Sequence, residues 1–243
     1  VAFFEVNDIH TFYGDSHILF GLTMNIDKGR LVCLLGRNGA GKSTTLRSII
    51  GLTPPQQGSI IFKDQDVVGK APYQIARLGI GYVPEEREVF PSLTVKENLE
   101  VGARILQNKA EVNYRWTIED IWESFPILNN LRNRKGGYLS GGEQQMLTIA
   151  RSLMTCPDLI LLDEPCEGLA PVLVKALSDR ISKIRESGCT IFMAEQNVKF
   201  AMSISDYGYI IDKGATKDEG PISELRSNED IQKYLVAGKV LDI

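Results

Sequence analysis

Gly36-Arg37-Asn38-Gly39-Ala40-Gly41-Lys42-Ser43-Thr44 decides how this chain folds. The run fits G-x-x-x-x-G-K-[ST], with Gly36, Gly41, Lys42 and Ser43 at the fixed positions. Residues 31–35 before it are an unbroken apolar run, the pattern of a buried strand. Residues 43–50 after it predict a helix with Leu46, Ile49 and Ile50 turned inward. A strand, a glycine-rich turn and a helix in that order gather backbone N–H groups and a helix N-terminus around one point, which suits a phosphate. Lys42 would reach the β- and γ-phosphates of a nucleotide, and the Ser43 hydroxyl would meet Mg²⁺. Asn38, Gly39, Ala40 and Thr44 would complete the cradle. The competing reading is a glycine-rich turn with a surface lysine, and the flanking strand and helix speak against it.

The chain has 243 residues, enough for one core with elaborations, and 27 basic against 31 acidic residues give a formal net charge of −4. That balance makes no case for nucleic acid as a partner. No segment approaches the ~20 consecutive apolar residues of a membrane span. Residues 1–6 are too short for a signal-peptide core and contain Glu5. Cys33, Cys156, Cys166 and Cys189 form no CxxC pair, and His10 and His17 are the only histidines, so a structural zinc site has no support. Unpaired cysteines fit a reducing compartment. Cys33, inside the first apolar run, reads as a small buried hydrophobe.

Working outward, residues 3–35 are β-rich with a turn at Lys28-Gly29, Gly58 leads into a strand over 59–62, and Pro84 stops one over 79–83. Ile118, Ile121, Trp122 and Phe125 recur at i, i+3, i+4 and i+7, which predicts a helix packing that face on the core rather than on a ligand. Asn108-Lys109-Ala110-Glu111 nearly matches the guanine-reading NKxD, but it has no strand before it and reads as a helix–helix connection. Ser140, followed three residues on by Glu143, predicts a capped helix that buries Met146, Ile149, Ala150, Leu153 and Met154. A buried strand over 159–162 follows. Pro171 opens a helix that turns Leu173, Leu177, Ile181 and Ile184 inward and closes at Gly188. Strands over 190–194 and 207–211 come next, the latter running into the turn Asp212-Lys213-Gly214. Strand and helix alternate, which predicts an α/β core with a mostly parallel sheet.

The strand Leu159-Ile160-Leu161-Leu162 delivers Asp163 and Glu164 to its C-terminal end, where such sheets build their sites. Asp163 would belong to the Mg²⁺ shell, and Glu164 would polarise the attacking water. The alternative is a strand followed by an acidic turn. Leu139-Ser140-Gly141-Gly142-Glu143-Gln144 supplies the third element, an anion-binding helix N-terminus.

With these motifs in this order, the chain resembles the ATP-binding subunit of ABC transporters, whose signature is LSGGE or LSGGQ. The resemblance implies a P-loop NTPase (RecA-like) core, an N-terminal antiparallel β subdomain and an inserted helical subdomain of about residues 86–150, all in one ABC ATPase domain over 1–243. It implies that Tyr13 stacks on adenine, although the neighbouring Phe12 is a rival because adjacent strand residues face opposite ways. It places Glu85 near the metal and Gln196 at the switch position. Ser140, Gly141, Gly142 and Glu143 would face the γ-phosphate held by a second chain. Glu85 stands where the family usually has glutamine and Gln196 where it usually has histidine. Gln196 can donate an amide hydrogen to a phosphate but cannot take a proton, which shifts the chemical burden to Glu164.

Tyr82-Val83-Pro84-Glu85, the signature run, Asp163-Glu164-Pro165-Cys166-Glu167-Gly168-Leu169-Ala170-Pro171 and Ala194-Glu195-Gln196-Asn197 together look like the LivF-type ATPases of branched-chain amino acid importers. Cys166 stands where Thr or Ser is usual, and nothing in the sequence accounts for it. The resemblance implies ATP and Mg²⁺ as cofactors. It also implies two membrane permeases, a second ATPase or a second copy of this chain, and an external solute-binding protein. The chain would then lie peripherally on the cytoplasmic face of the membrane, with Val89 and Phe90 available to meet a permease helix. Related subunits serve urea or short amides. A non-transport ABC ATPase and a nucleotide-binding module with little turnover remain as other readings.

Overall fold

The computed structural model describes residues 3–105 and 116–236. β1 (Phe4–Tyr13) and β2 (Ser16–Ile26) form a hairpin. Phe4, Val6, Ile9 and Thr11 of β1 are buried, and a register break at Asp8 keeps Val6 and Ile9 on the covered face. β3 (Leu31–Leu35) leads into α1 (Lys42–Ile49), and both match expectation within a residue. β4 (Gln57–Phe62) and the short β5 (Gln65–Asp66) extend the hairpin into an antiparallel sheet of order β2-β1-β4-β5.

α2 (Pro72–Leu78) precedes β6 (Ile80–Val83), and α3 (Val95–Ile105), α4 (Ile118–Ser124), α5 (Pro126–Asn130) and α6 (Gly141–Leu153) form the helical stretch. β7 (Leu159–Asp163), α7 (Pro171–Glu186), β8 (Thr190–Glu195), α8 (Val198–Ile204) and β9 (Tyr207–Asp212) complete the alternation. β10 (Ala215–Pro221), α9 (Ile222–Ser227) and α10 (Glu229–Val236) follow. The second sheet has the order β10-β9-β3-β8-β7-β6. Its inner pairings are all parallel, and β10 alone runs antiparallel at the edge.

Alternation along the parallel strands divides the core in two. Leu31, Cys33 and Leu35 of β3, with Ile160, Leu162, Ile191 and Met193, meet α6, α7 and the helical stretch. Val32 and Leu34, with Leu159, Leu161 and Phe192, meet α1 and the antiparallel sheet. Both faces are dry, which is why these strands read as continuous apolar runs.

The aromatic helix packs as expected, with Ile121 and Phe125 buried and Ile118 and Trp122 against the core. Met146, Ile149, Ala150, Leu153 and Met154 are buried as well. Asn108-Lys109-Ala110-Glu111 lies outside the described residues. Val89 departs from expectation: it packs against the core, and only Phe90 of that pair is exposed. All four cysteines are free and buried. No helix among the described residues is long and apolar enough to cross a membrane.

Phe192 is a large side chain of the second core region at 0% exposure. Phe192→Ala should lower unfolding stability by about 3–5 kcal/mol. Denaturant titration measures it, and a loss under about 1 kcal/mol would show that the sheet face tolerates a cavity there.

Candidate functional site

Parallel strands end at one edge of the sheet, so the segments after β3, β6, β7 and β8 converge. After β3 the chain turns through 36–41 into α1, with Gly41 at φ +110, a conformation that a side chain would strain. Gly214, just after β9, locks this turn in place. Its N–H donates to the Ala40 carbonyl and its carbonyl accepts from the Phe20 N–H, both at 2.8 Å. A Cβ at Gly214 would lie 1.8 Å from the Ile18 carbonyl oxygen, so only glycine fits.

A cavity of about 420 Å³ opens over the turn, lined by Tyr13, Ile18, Asn38, Gly39, Gly41, Lys42, Ser43, Thr44, Glu85, Glu164 and Glu167. That volume suits a small ligand. Tyr13, 45% exposed, forms one wall, whereas Phe12 stacks on His17 with ring centroids 4.1 Å apart. His10 and His17 touch each other on the hairpin and do not line the cavity.

Lys42 is buried. Its Nζ donates to the carbonyls of Gly36 (3.0 Å) and Arg37 (3.2 Å) and pairs with Glu164 Oε1 at 3.1 Å. Glu164 holds a positive φ of 43°, its N–H donates to Ala194 O at 2.9 Å, and its Oε2 is buried with no hydrogen-bond partner. Burial pushes its carboxyl above the ordinary range, and Lys42 opposes that shift. Beside it, Asp163 Oδ1 accepts from Ser43 Oγ at 3.0 Å and Oδ2 accepts from Tyr82 Oη at 3.3 Å. Burial pushes Asp163 up from 3.8 to about 6, against the two hydroxyl donors, and raises the Tyr82 phenol too.

The structure therefore gathers Tyr13, the turn residues, Lys42, Ser43, Thr44, Glu85, Asp163 and Glu164. Ser140, Gly141, Gly142, Glu143 and Gln196 do not line the cavity. Ser140 caps α6 in a capping box: its N–H donates to Glu143 Oε2 at 2.7 Å, and its Oγ accepts from the Glu143 N–H at 3.4 Å. Gln196 follows β8 and is half-buried. Sequence reasoning missed Tyr82, Glu167 and Arg87. Tyr82 sits opposite Leu161 in the β6–β7 ladder, two residues before Asp163, a placement that only the pairing of the strands shows. Arg87 donates to the Glu167 carbonyl, and its guanidinium lies where a Cβ on Gly141 would sit, 2.4 Å from Nη1. It thereby ties the loop of Glu85 to the turn after Glu164 and lies against the start of the signature helix.

The ABC transporter family model matches residues 19–167. The chain is 36% identical over 230 residues to the high-affinity branched-chain amino acid transport ATP-binding protein BraG of Pseudomonas aeruginosa, covering 95% of this chain and 97% of that protein. It is 38% identical to a probable branched-chain amino acid transport ATP-binding protein LivF of Archaeoglobus fulgidus (91% and 93% covered) and 32% identical to the lipopolysaccharide export ATP-binding protein LptB of Escherichia coli (91% of each). A solved ATP-binding cassette of an ABC transporter in its ADP conformation superposes with a TM-score of 0.77 at 27% identity, over 100% of this chain and 98% of that one. The ATP-binding subunit of another ABC transporter gives 0.81 at 27% identity, over 98% and 99%. The chain belongs to the ABC transporter ATP-binding family. It is an ATP-binding and ATP-hydrolysing subunit, related both to the branched-chain amino acid group and to the lipopolysaccharide export group.

The raised Asp163 pKa has a consequence for the nucleotide-free, cation-free protein. The folded state holds this proton more tightly than the unfolded chain. Its contribution to stability is therefore full below pH 3.8 and is lost as pH rises through about 6. Asp163→Asn should gain on wild type between acid and neutral pH by up to about 3 kcal/mol. Parallel urea titrations check this, and equal pH slopes for the two proteins would refute it.

Proposed function

We propose that this chain powers import of a branched-chain amino acid or related small solute, as a LivF-type ATPase docked on the cytoplasmic side of two membrane permeases. The 36% and 38% identities support this group over the 32% of the export relative. The departures at Glu85 and Gln196 point the same way. The reading takes the whole chain, 1–243, as one ABC ATPase domain with an inserted helical subdomain of about residues 86–150.

One observation carries the chemistry: Glu164 gives one oxygen to Lys42 and keeps the other unpartnered at the cavity. In the resting site the lysine neutralises the carboxylate. When phosphate oxygens enter, Lys42 turns to them, and Glu164 is released to take a proton from the attacking water. Gln196 donates to the γ-phosphate, and Tyr13 stacks on the adenine. Ser43 Oγ and Asp163 Oδ1 lie 3.0 Å apart, a spacing that two oxygens at ~2.1 Å on one octahedral ion share, and Glu85 lines the same cavity. These three residues would hold Mg²⁺, which neutralises charge on the phosphates. The signature residues do not line their own cavity; in this reading they complete a partner ATPase's site, or that of a second copy, with an external binding protein delivering solute.

Glu164→Gln should keep ATP affinity and lose turnover by about 10²–10⁴-fold. With ATP it should accumulate as a dimer, alone or with the cognate second ATPase, and Ser140→Arg should abolish that dimer while ATP still binds. Single-turnover assays and sedimentation decide. Hydrolysis at the wild-type rate removes Glu164 from water activation, and a dimer that survives Ser140→Arg removes the signature from the interface.

Phe90 lines an apolar groove of about 430 Å³ with Leu52 and Tyr73, and the Arg151 guanidinium lies 4.7 Å from its ring. All three apolar side chains are exposed, which fits a permease helix. Phe90→Ser should spare basal hydrolysis but uncouple uptake in vesicles carrying the permeases. Leucine, urea and a short amide offered in parallel identify the solute. Full uptake by the variant would move the docking site elsewhere.

A further inference from the structure

Glu195 ends β8 at 1% exposure, with no cation paired to it among the described residues. A carboxylate taken from water without hydrogen bonds costs several kcal/mol, so its partners matter. Oε1 accepts from Cys166, from the backbone N–H at 3.2 Å and from the thiol at 2.9 Å. Oε2 accepts from the Asn197 N–H at 3.0 Å. Burial pushes the Cys166 thiol up, so it keeps its proton and serves as a donor.

The two oxygens therefore hold two different segments. Cys166 lies two residues after Glu164, in a turn closed by the Glu167 N–H on the Glu164 carbonyl at 3.0 Å. Asn197 directly follows Gln196, and its Oδ1 caps α8 by accepting from the Phe200 N–H at 3.1 Å. We propose that Glu195 is a positioning residue for ATP hydrolysis, holding the Glu164 turn against the Gln196 loop, with Cys166 as the side-chain donor that this carboxylate requires. The inference rests on the roles given above to Glu164 and Gln196. It also accounts for Cys166, because Cys, Ser and Thr all carry a hydrogen-bond donor on Cβ.

The test compares Glu195→Gln, Cys166→Ala and Cys166→Ser with wild type, measuring kcat, KM, the ATP Kd and the thermal midpoint. Glutamine keeps the volume but sets an NH₂ group against one of the backbone N–H donors. Glu195→Gln should lower kcat by about tenfold or more, since small misplacements of reacting groups are costly, while the ATP Kd stays within about twofold. Cys166→Ala should lower kcat in the same direction, and Cys166→Ser should restore it. Wild-type kcat in Glu195→Gln overturns the proposal. Equal loss in the alanine and serine variants also overturns it, because that pattern reports packing rather than a donor. Should Glu195→Gln not fold, the Cys166 pair decides alone. Glu164→Gln runs in the same series: turnover retained there defeats the role of Glu164 itself, whatever the Glu195 variant does.

Discussion

Both faces of the six-stranded sheet are covered, and this constraint organises the site. Polar side chains on the inner strands can emerge only at the strand ends. Four segments therefore bring their chemistry to one edge, after β3, β6, β7 and β8. The carboxylates there are mostly buried, so each must find donors. Asp163 takes two hydroxyls, Glu164 takes a lysine, and Glu195 takes a thiol and two backbone N–H groups. The oxygen left over is Glu164 Oε2, which has no hydrogen-bond partner at the cavity.

Legibility followed periodicity. Residues 31–50 were readable because a dry strand, a glycine-rich turn and an amphipathic helix each leave their own pattern. The capping box of Ser140 and Glu143 was readable because it is local. β10 was not: Ala215-Thr216-Lys217-Asp218-Glu219-Gly220-Pro221 shows no apolar alternation and is a strand because β9 offers a free edge. α2 was missed because only Ile75 of its seven residues is buried. Glu195 was read only as part of a motif, since a carboxylate ending an apolar strand gives no sign of whether it faces water or a neighbouring turn. Tyr82 reaches Asp163 because β6 pairs with β7, which sequence spacing alone does not reveal.

The signature helix stands apart from the cavity of its own chain. Ser140 and Glu143 satisfy each other at the start of α6, and the cavity lies elsewhere in the same chain. Arg87 supplies the physical link, reaching from the loop of Glu85 to the backbone of Glu167 while lying against Gly141. Leu169 and Leu173 lie against Gly142 as well, so the start of the signature helix rests on apolar side chains from the segment after Glu164 and on one guanidinium.

Gly214 carries a different implication. The wall with Tyr13 and the turn with Lys42 belong to separate sheets, yet both are bolted through the two main-chain atoms of a single residue. At this point the two walls are joined by peptide geometry, like the jaws of a caliper that share a pin, and the Tyr209 hydroxyl joins them again at Asn25. Drift among the lining side chains can change what the pocket touches while leaving this joint the same.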